Sequence, residues 1–143
     1  MDDYIGRRLR RALNLQRPAK YYLSTDSKLS VLGDALVNYV ASVSETIRSG
    51  VPTGKRVENK ILLKSVRESG LRELLTSRKD KHALGDAAEA LLAYAWIKGA
   101  TTLDEYVETM LRSGSLQDGM TQILRLAIKK AGVAQIDGQD QGS

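Results

Sequence analysis

Three carboxylates carry the chemistry this sequence can do. Asp34 lies in LSVLGDALVNYVASV (residues 29–43), and Asp86 and Glu89 lie in HALGDAAEALLAYAW (residues 82–96). Each stands inside an otherwise apolar helical run, where a carboxylate is costly unless something positive meets it. Two such helices packed face to face would bring the three acids to one spot, and the usual positive partner there is a divalent cation. Magnesium and manganese take hard oxygen ligands in octahedral geometry, and magnesium keeps several waters. Three carboxylates can therefore anchor one Mg2+ (or Mn2+) ion and leave positions for water and a phosphate oxygen. Such an ion lowers the pKa of bound water and stabilises a leaving oxygen, which is the chemistry of phosphodiester hydrolysis. Taken singly, each acid reads more readily as a solvated or ion-paired surface charge. The combination favours the ligand reading, because both segments pair small residues and a broad apolar surround with acids at facing positions.

The neighbours support a close helix–helix approach. Asp86 and Glu89 are three apart and project from one face. Ala83, Ala87, Ala88 and Ala90 surround them, and Leu91, Leu92, Tyr94 and Trp96 add bulk, so this helix is expected to be buried nearly all round. Gly33 precedes Asp34; glycine inside a helix costs about 1 kcal/mol relative to alanine, and backbone contact with a second helix would compensate. Ser30, Asp34 and Asn38 share one stripe at i, i+4, i+8. Ser30 and Asn38 are thus candidates to orient Asp34 or hold a ligand-bound water. His82, the only histidine, lies one turn before Asp86 and is a candidate for the same role or for a ligand; the plainer reading is a first-turn residue facing solvent.

The elements that must position these groups are helical throughout. Two prolines in 143 residues and no sustained alternation predict an all-α domain. An arginine-rich amphipathic helix is expected over residues 4–16, with Ile5, Leu9, Ala12 and Leu13 on one side, ended by Pro18. The next helix, capped by Ser24 or Asp26, should run to about Arg48. A loop at Gly50, Pro52 and Gly54 leads to a helix over about 57–68, stopped at Gly70, and a short turn at 71–75. The second acidic helix spans 81–98 with Gly99 at its end. Thr102 and Glu105 have capping-box spacing and open a helix to about Arg112. The last helix covers 116–131, with Lys129 and Lys130 suited to its C-terminus. This divides the chain into a basic arm (1–20), a helical domain (21–131) and a polar tail (132–143) expected to be disordered.

Charge is uneven. The net charge is +5, and residues 1–20 hold six basic against two acidic residues, so the arm supplies +4 of it. A basic arm on a nearly neutral body is a footprint of nucleic-acid binding, though a solvated helix that aids solubility has the same composition. Arg7, Arg8, Arg10 and Arg11 in the arm, Lys55, Arg56 and Lys60 at the middle helix, and Arg78 and Lys79 before the second acidic helix are the candidate RNA-phosphate contacts. There is no cysteine, which excludes disulfides and zinc–thiolate sites. No apolar stretch reaches membrane-span length and the N-terminus lacks a signal-peptide core, so a cytoplasmic protein without a membrane role is expected. Tyr21 and Tyr22 are expected to pack as apolar cover rather than stack on bases.

At these residues the chain resembles the ribonuclease III catalytic domain, in particular the small archaeal single-domain members that lack a double-stranded-RNA-binding domain. Leu32, Gly33, Asp34 and Ala35 are similar to the end of the family's signature helix. Asp86, Glu89, Ala90 and Leu91 match its later Asp-x-x-Glu-Ala-Leu, and AYAWIKGATTLDEYV follows as the family's aromatic run does. Asn59 and SGLRELL (residues 69–75) between them also look like family positions. The resemblance, over about residues 22–112, implies an all-helical fold and a homodimer with an RNA groove. It also implies divalent-metal cleavage of double-stranded or structured RNA, with Asp34, Asp86 and Glu89 as catalytic metal ligands. One departure stands out: where the family signature has glutamates three and six residues before the glycine, this chain has Ser30 and Ser27. One carboxylate ligand is therefore absent, and weaker metal binding or a preference for manganese is expected. The substitutions also keep open a second function, an RNA-binding or ribonucleoprotein component of the same fold with little catalysis. A third, a nucleotide hydrolase with acidic helices around magnesium, would carry a denser acidic cluster than this one.

Overall fold

The computed structural model describes residues 3–75 and 81–133, and among these the chain is all-α, without a strand. In chain order the helices are α1 (Tyr4–Leu13), α2 (Ala19–Tyr22), α3 (Leu29–Ser49), α4 (Asn59–Ser69), α5 (Leu71–Leu74), α6 (Lys81–Ile97), α7 (Leu103–Arg112) and α8 (Leu116–Ala131). The two acidic segments are α3 and α6, and they form the most extensive helix–helix interface in the molecule. α6 is the central rod: every residue from Ala87 to Ile97 is buried, as its alanine-rich, all-round apolar sequence requires. α4, α8 and α1 pack on its other sides, and α7 bridges α3 and α8. The core between them is built on Val37 and Val40 of α3, Leu91, Leu92 and Ile97 of α6, Tyr106 and Met110 of α7, and Ile123 and Leu124 of α8.

Most boundaries fall where the caps place them. Thr102 and Glu105 form a full capping box on α7, each accepting the other's backbone N–H at 3.0 Å. Gly99 takes φ +81°, the left-handed conformation that closes α6. Lys130 pairs with Glu105 at 2.7 Å, so it ties α8 to α7 as well as facing its own helix terminus. Tyr22 stacks on Tyr94 with ring centroids 5.6 Å apart, and Tyr21 meets Tyr22 edge-on, so both tyrosines act as apolar cover.

Four expectations need correcting. α1 ends at Leu13 rather than residue 16, because Asn14 turns left-handed (φ 48°) and donates its N–H to Arg10 O at 2.9 Å. The run before Asp34 is not one helix capped at Ser24 or Asp26. It breaks into α2, a 3-10 turn at Thr25–Ser27 and α3. Lys28, left-handed at φ 62°, is the N-cap of α3 and makes no side-chain cap, and the Ser27 hydroxyl before it accepts the Leu29 N–H at 3.2 Å. α4 begins at Asn59, two residues late, because Val57 is held extended by another helix. Val133, inside the tail expected from residue 132, is buried, its N–H donating to Ile128 O; residues 134–143 lie outside the described residues.

The loop between α3 and α4 is laced along α3. Thr53 N–H donates to Thr46 Oγ1 at 2.9 Å, Lys55 N–H to Ser42 Oγ at 2.8 Å and Val57 N–H to Asn38 Oδ1 at 2.8 Å. The register has a geometric cause. Two residues of extended chain advance about 6.6 Å, and four residues of α-helix rise about 6 Å. Alternate loop residues therefore meet every fourth residue of one helix stripe: Asn38, Ser42, Thr46. The next position up that stripe is Asp34.

The approach of α3 to α6 is closest at Gly33, where a Cβ would collide with the Glu89 backbone carbonyl. Both partners are backbone and neither can give without separating the helices. Gly33→Ala is therefore expected to destabilise the fold by about 3 kcal/mol, at the upper end of overpacking costs. Denaturant unfolding checks it, with Ala35→Gly on an exposed turn of the same helix as the control.

Candidate active site

α3 and α6 bring the three acids together. Glu89 is buried at 8% exposure, Asp86 is half-buried and Asp34 lies at the exposed edge. The carboxyl of Glu89 is pushed up to about 8. Burial is the first cause, a hydrogen bond with the Asp34 side chain the second, and the negative charges of Asp34 and Asp86 complete it. Among the described residues no cationic side chain offsets these effects at Glu89. Among the described residues no group of three or more His, Asp or Glu side chains is placed to hold a metal ion. What the fold provides is a buried carboxyl at Glu89 with the charges of Asp34 and Asp86 close to it, a proton on Glu89 relieving the repulsion.

The other candidate residues distribute unevenly around this centre. Ser30 is half-buried one turn before Asp34. Asn38 does not orient Asp34 through its Oδ1, which accepts from Val57; its work is to hold the α3–α4 loop. His82 is exposed in the first turn of α6. Asn59, at the start of α4, approaches this centre: its Oδ1 lies 2.7 Å from where a Cβ on Gly85 would stand, so the absent side chain of Gly85 makes the room. Lys55 and Arg56 are exposed and line a cleft of about 680 Å3 with Glu58, Asn59, Ile61 and Leu116. Lys60 pairs with Glu58 at 3.8 Å across a largely solvated gap.

The arm sits elsewhere. Arg10 donates from Nη1 to Ile97 O at 2.9 Å, so it pins α1 to the last turn of α6, where a cation meets the negative helix terminus. Its role is structural. Arg8 donates to the Tyr4 hydroxyl at 2.6 Å, Arg7 lies 5.8 Å from the Tyr4 ring centroid, and Arg11 is exposed. Ile97 is eight residues beyond Glu89, about 12 Å along the helix, so Arg10 is held away from the acids. Arg78 and Lys79 lie outside the described residues.

Sequence reasoning overlooked Ser42 and Thr46 and gave Asn59 no role. The signals were present. Ser42 and Thr46 continue the i+4 stripe of Ser30, Asp34 and Asn38, and Gly85 is a second helical glycine beside an acid, as Gly33 is. No helix among the described residues is long and apolar enough to cross a membrane.

The raised carboxyl sets a pH dependence. Between the ordinary glutamate value of 4.5 and about 8 the folded protein holds a proton on Glu89 that the unfolded chain has released. Stability of the chelator-treated protein is therefore fully present below pH 4.5 and is lost as pH rises through 8. Glu89→Gln, neutral throughout, is expected to remove most of that decline, read as melting temperature against pH in EDTA.

Among known protein families, the model described as Ribonuclease III matches residues 27–136 of this chain. No curated protein matches it.

Proposed function

The chain belongs to the ribonuclease III family, and on that premise we propose that it is a metal-dependent endoribonuclease acting on double-stranded or structured RNA. The observation that carries this reading is the meeting of Asp34, Asp86 and Glu89 across the α3–α6 contact, with Glu89 buried. These three side chains would hold a Mg2+ or Mn2+ ion. When bound, such an ion supplies water activation and stabilises the leaving oxygen. The protein's own part is to fix the donors. Gly33 lets α3 press on α6. Burial keeps Glu89 out of bulk water, and its deprotonated carboxylate is the form that would hold such an ion. Lys55 and Arg56 stand on the laced loop where phosphates can be gripped without reorganising the backbone.

A homodimer fits the surface of α3. Val31 (72% exposed), Ala35 and Tyr39 (53%) form an outward stripe at i, i+4, i+8 flanking Asp34, with Ile47 further along. Exposed apolar groups aligned on one face ask for a partner, and a second copy meeting there would place two carboxylate centres near one surface. The rival reading, an RNA-binding component of this fold, is favoured by Ser30 and Ser27 and by the open arrangement of the three acids.

Incubation with double-stranded RNA and Mn2+ separates the two. Cleavage by the wild type is expected, with Asp86→Asn and Glu89→Gln each slower by at least a hundredfold. Activity should rise with pH toward 8 as Glu89 loses its proton. Binding without cleavage in any divalent ion would leave the rival standing.

A further inference from the structure

The outer face of α1 has the wrong composition for a solvated helix. Gly6 is buried and Arg10 donates to Ile97 O, so that side of α1 is turned to α6. The opposite side carries Tyr4 (51% exposed) and Ile5 (54%), followed by Arg8, Arg11 and Ala12, all exposed. On an α-helix these five fall within about 120° of one another. Tyr4 and Ile5 are shared by two adjoining hollows. One, of about 460 Å3, is completed by Arg8, Leu9, Arg11 and Ala12. The other, of about 620 Å3, takes in Asp3 beside Leu103, Asp104 and Glu105 of α7 and Lys130 of α8.

Charge is sorted along this surface. Lys130 neutralises Glu105 at 2.7 Å, which leaves Asp3 and Asp104 at the end where α1 begins. Arg8 and Arg11 stand toward the end where α1 finishes. Among the described residues Arg11 and Asp104 make no ion pair, and both are exposed. Two carboxylates, an apolar middle and two guanidinium groups thus follow one another. A polyanion laid along that order would meet Asp3 and Asp104 as well as the arginines, and a wholly apolar partner would leave all four charges unmatched. A two-fold rotation about the middle does neither. It sets Tyr4 and Ile5 of one copy on those of another, and the arginines of each on the carboxylates of its partner. The surface is therefore its own complement, as a two-fold contact requires, with an apolar centre and a charged rim.

We propose that the outer face of α1, with the start of α7 beside it, is a self-association surface that takes the same face of a second copy. Neither hollow contains a residue of α3, so this contact is separate from the outward stripe of Val31, Ala35 and Tyr39. α1 also lies before residues 27–136, the part of the chain that the family model matches. The contact is independent of the nuclease reading; if that reading holds, duplex RNA and the second copy compete for Arg8 and Arg11.

Sedimentation velocity on the full chain tests this, with Tyr39→Asp in every sample so that α3 does not contribute. The mass is expected to rise with concentration from one chain toward two, and the association to weaken as salt screens the rim charges. Arg11→Glu and Asp104→Lys each set like charges together twice in a symmetric pair and are expected to weaken it by at least about tenfold. Mixed one to one, these two variants are complementary at both contacts, so the mixture regains the starting affinity. The double variant Arg11→Glu/Asp104→Lys regains it as well. Association untouched by either reversal, or recovered neither by mixing nor in the double variant, would overturn the proposal. So would a chain that stays monomeric at every concentration; binding of that monomer to phosphatidylserine vesicles, lost in Ile5→Asp, would give the face to a lipid surface instead.

Discussion

The structure depends on one backbone contact, Gly33 of α3 against the Glu89 carbonyl of α6. Side chains elsewhere in the core can trade volume with their neighbours; two backbones in contact cannot. That contact fixes how close the two longest helices come and how α3 is rotated about its own axis. It therefore decides that Asp34, the very next residue, lies beside the carboxyl of Glu89. Val37 and Val40 follow into the core on the adjacent turns, while Val31, Ala35 and Tyr39 are turned out to solvent. Stability and site geometry are thus set by the same few atoms, which is why an acid pair can be held in an interface that would otherwise exclude it.

Holding it there has an electrostatic consequence. Three acids meet, and among the described residues no side-chain cation offsets them at Glu89, so that carboxyl keeps its proton well above the usual carboxylate range. The result is a buried group that answers to pH. The conflict is local: from Ala90 to Ile97 α6 is buried apolar packing, its one other cost among the described residues being the Trp96 indole N–H, buried without a hydrogen-bond partner near the far end of the helix.

Much of this was legible in the chain. The all-α class, the capping box at Thr102, the burial of α6 and the need for a partner backbone at Gly33 each followed from a rule that acts within one or two turns. What escaped were features set by pairs of distant segments. Arg10 looks like any other arginine of a basic arm; only the position of α6 makes its guanidinium a cap for Ile97. Asn38 has the right spacing to serve Asp34, and the competitor that takes its oxygen, Val57, lies nineteen residues away. Ser27 holds one of the positions where a family glutamate is missing, yet here its hydroxyl accepts the Leu29 N–H at the start of α3. In each case a polar group of ambiguous local meaning was claimed by a backbone atom that the sequence does not place beside it.

The same distinction bears on how a nuclease of this size would hold its substrate. Arg10 is committed to Ile97 O, about 12 Å along α6 from Glu89, and is not available to a phosphate at the carboxylate centre. On the proposed reading the other arginines of α1 would add affinity that falls with salt and carries no sequence information. Lys55 and Arg56 differ in kind. They sit on a segment whose N–H groups are tied at every second residue to α3, the helix that also carries Asp34. A phosphate gripped by that segment is held in register with the acids, because loop and ligand share one scaffold. Position relative to the centre comes from the loop, and general attraction from the arm; a change in the lacing of Asn38, Ser42 and Thr46 acts on the first and leaves the second untouched.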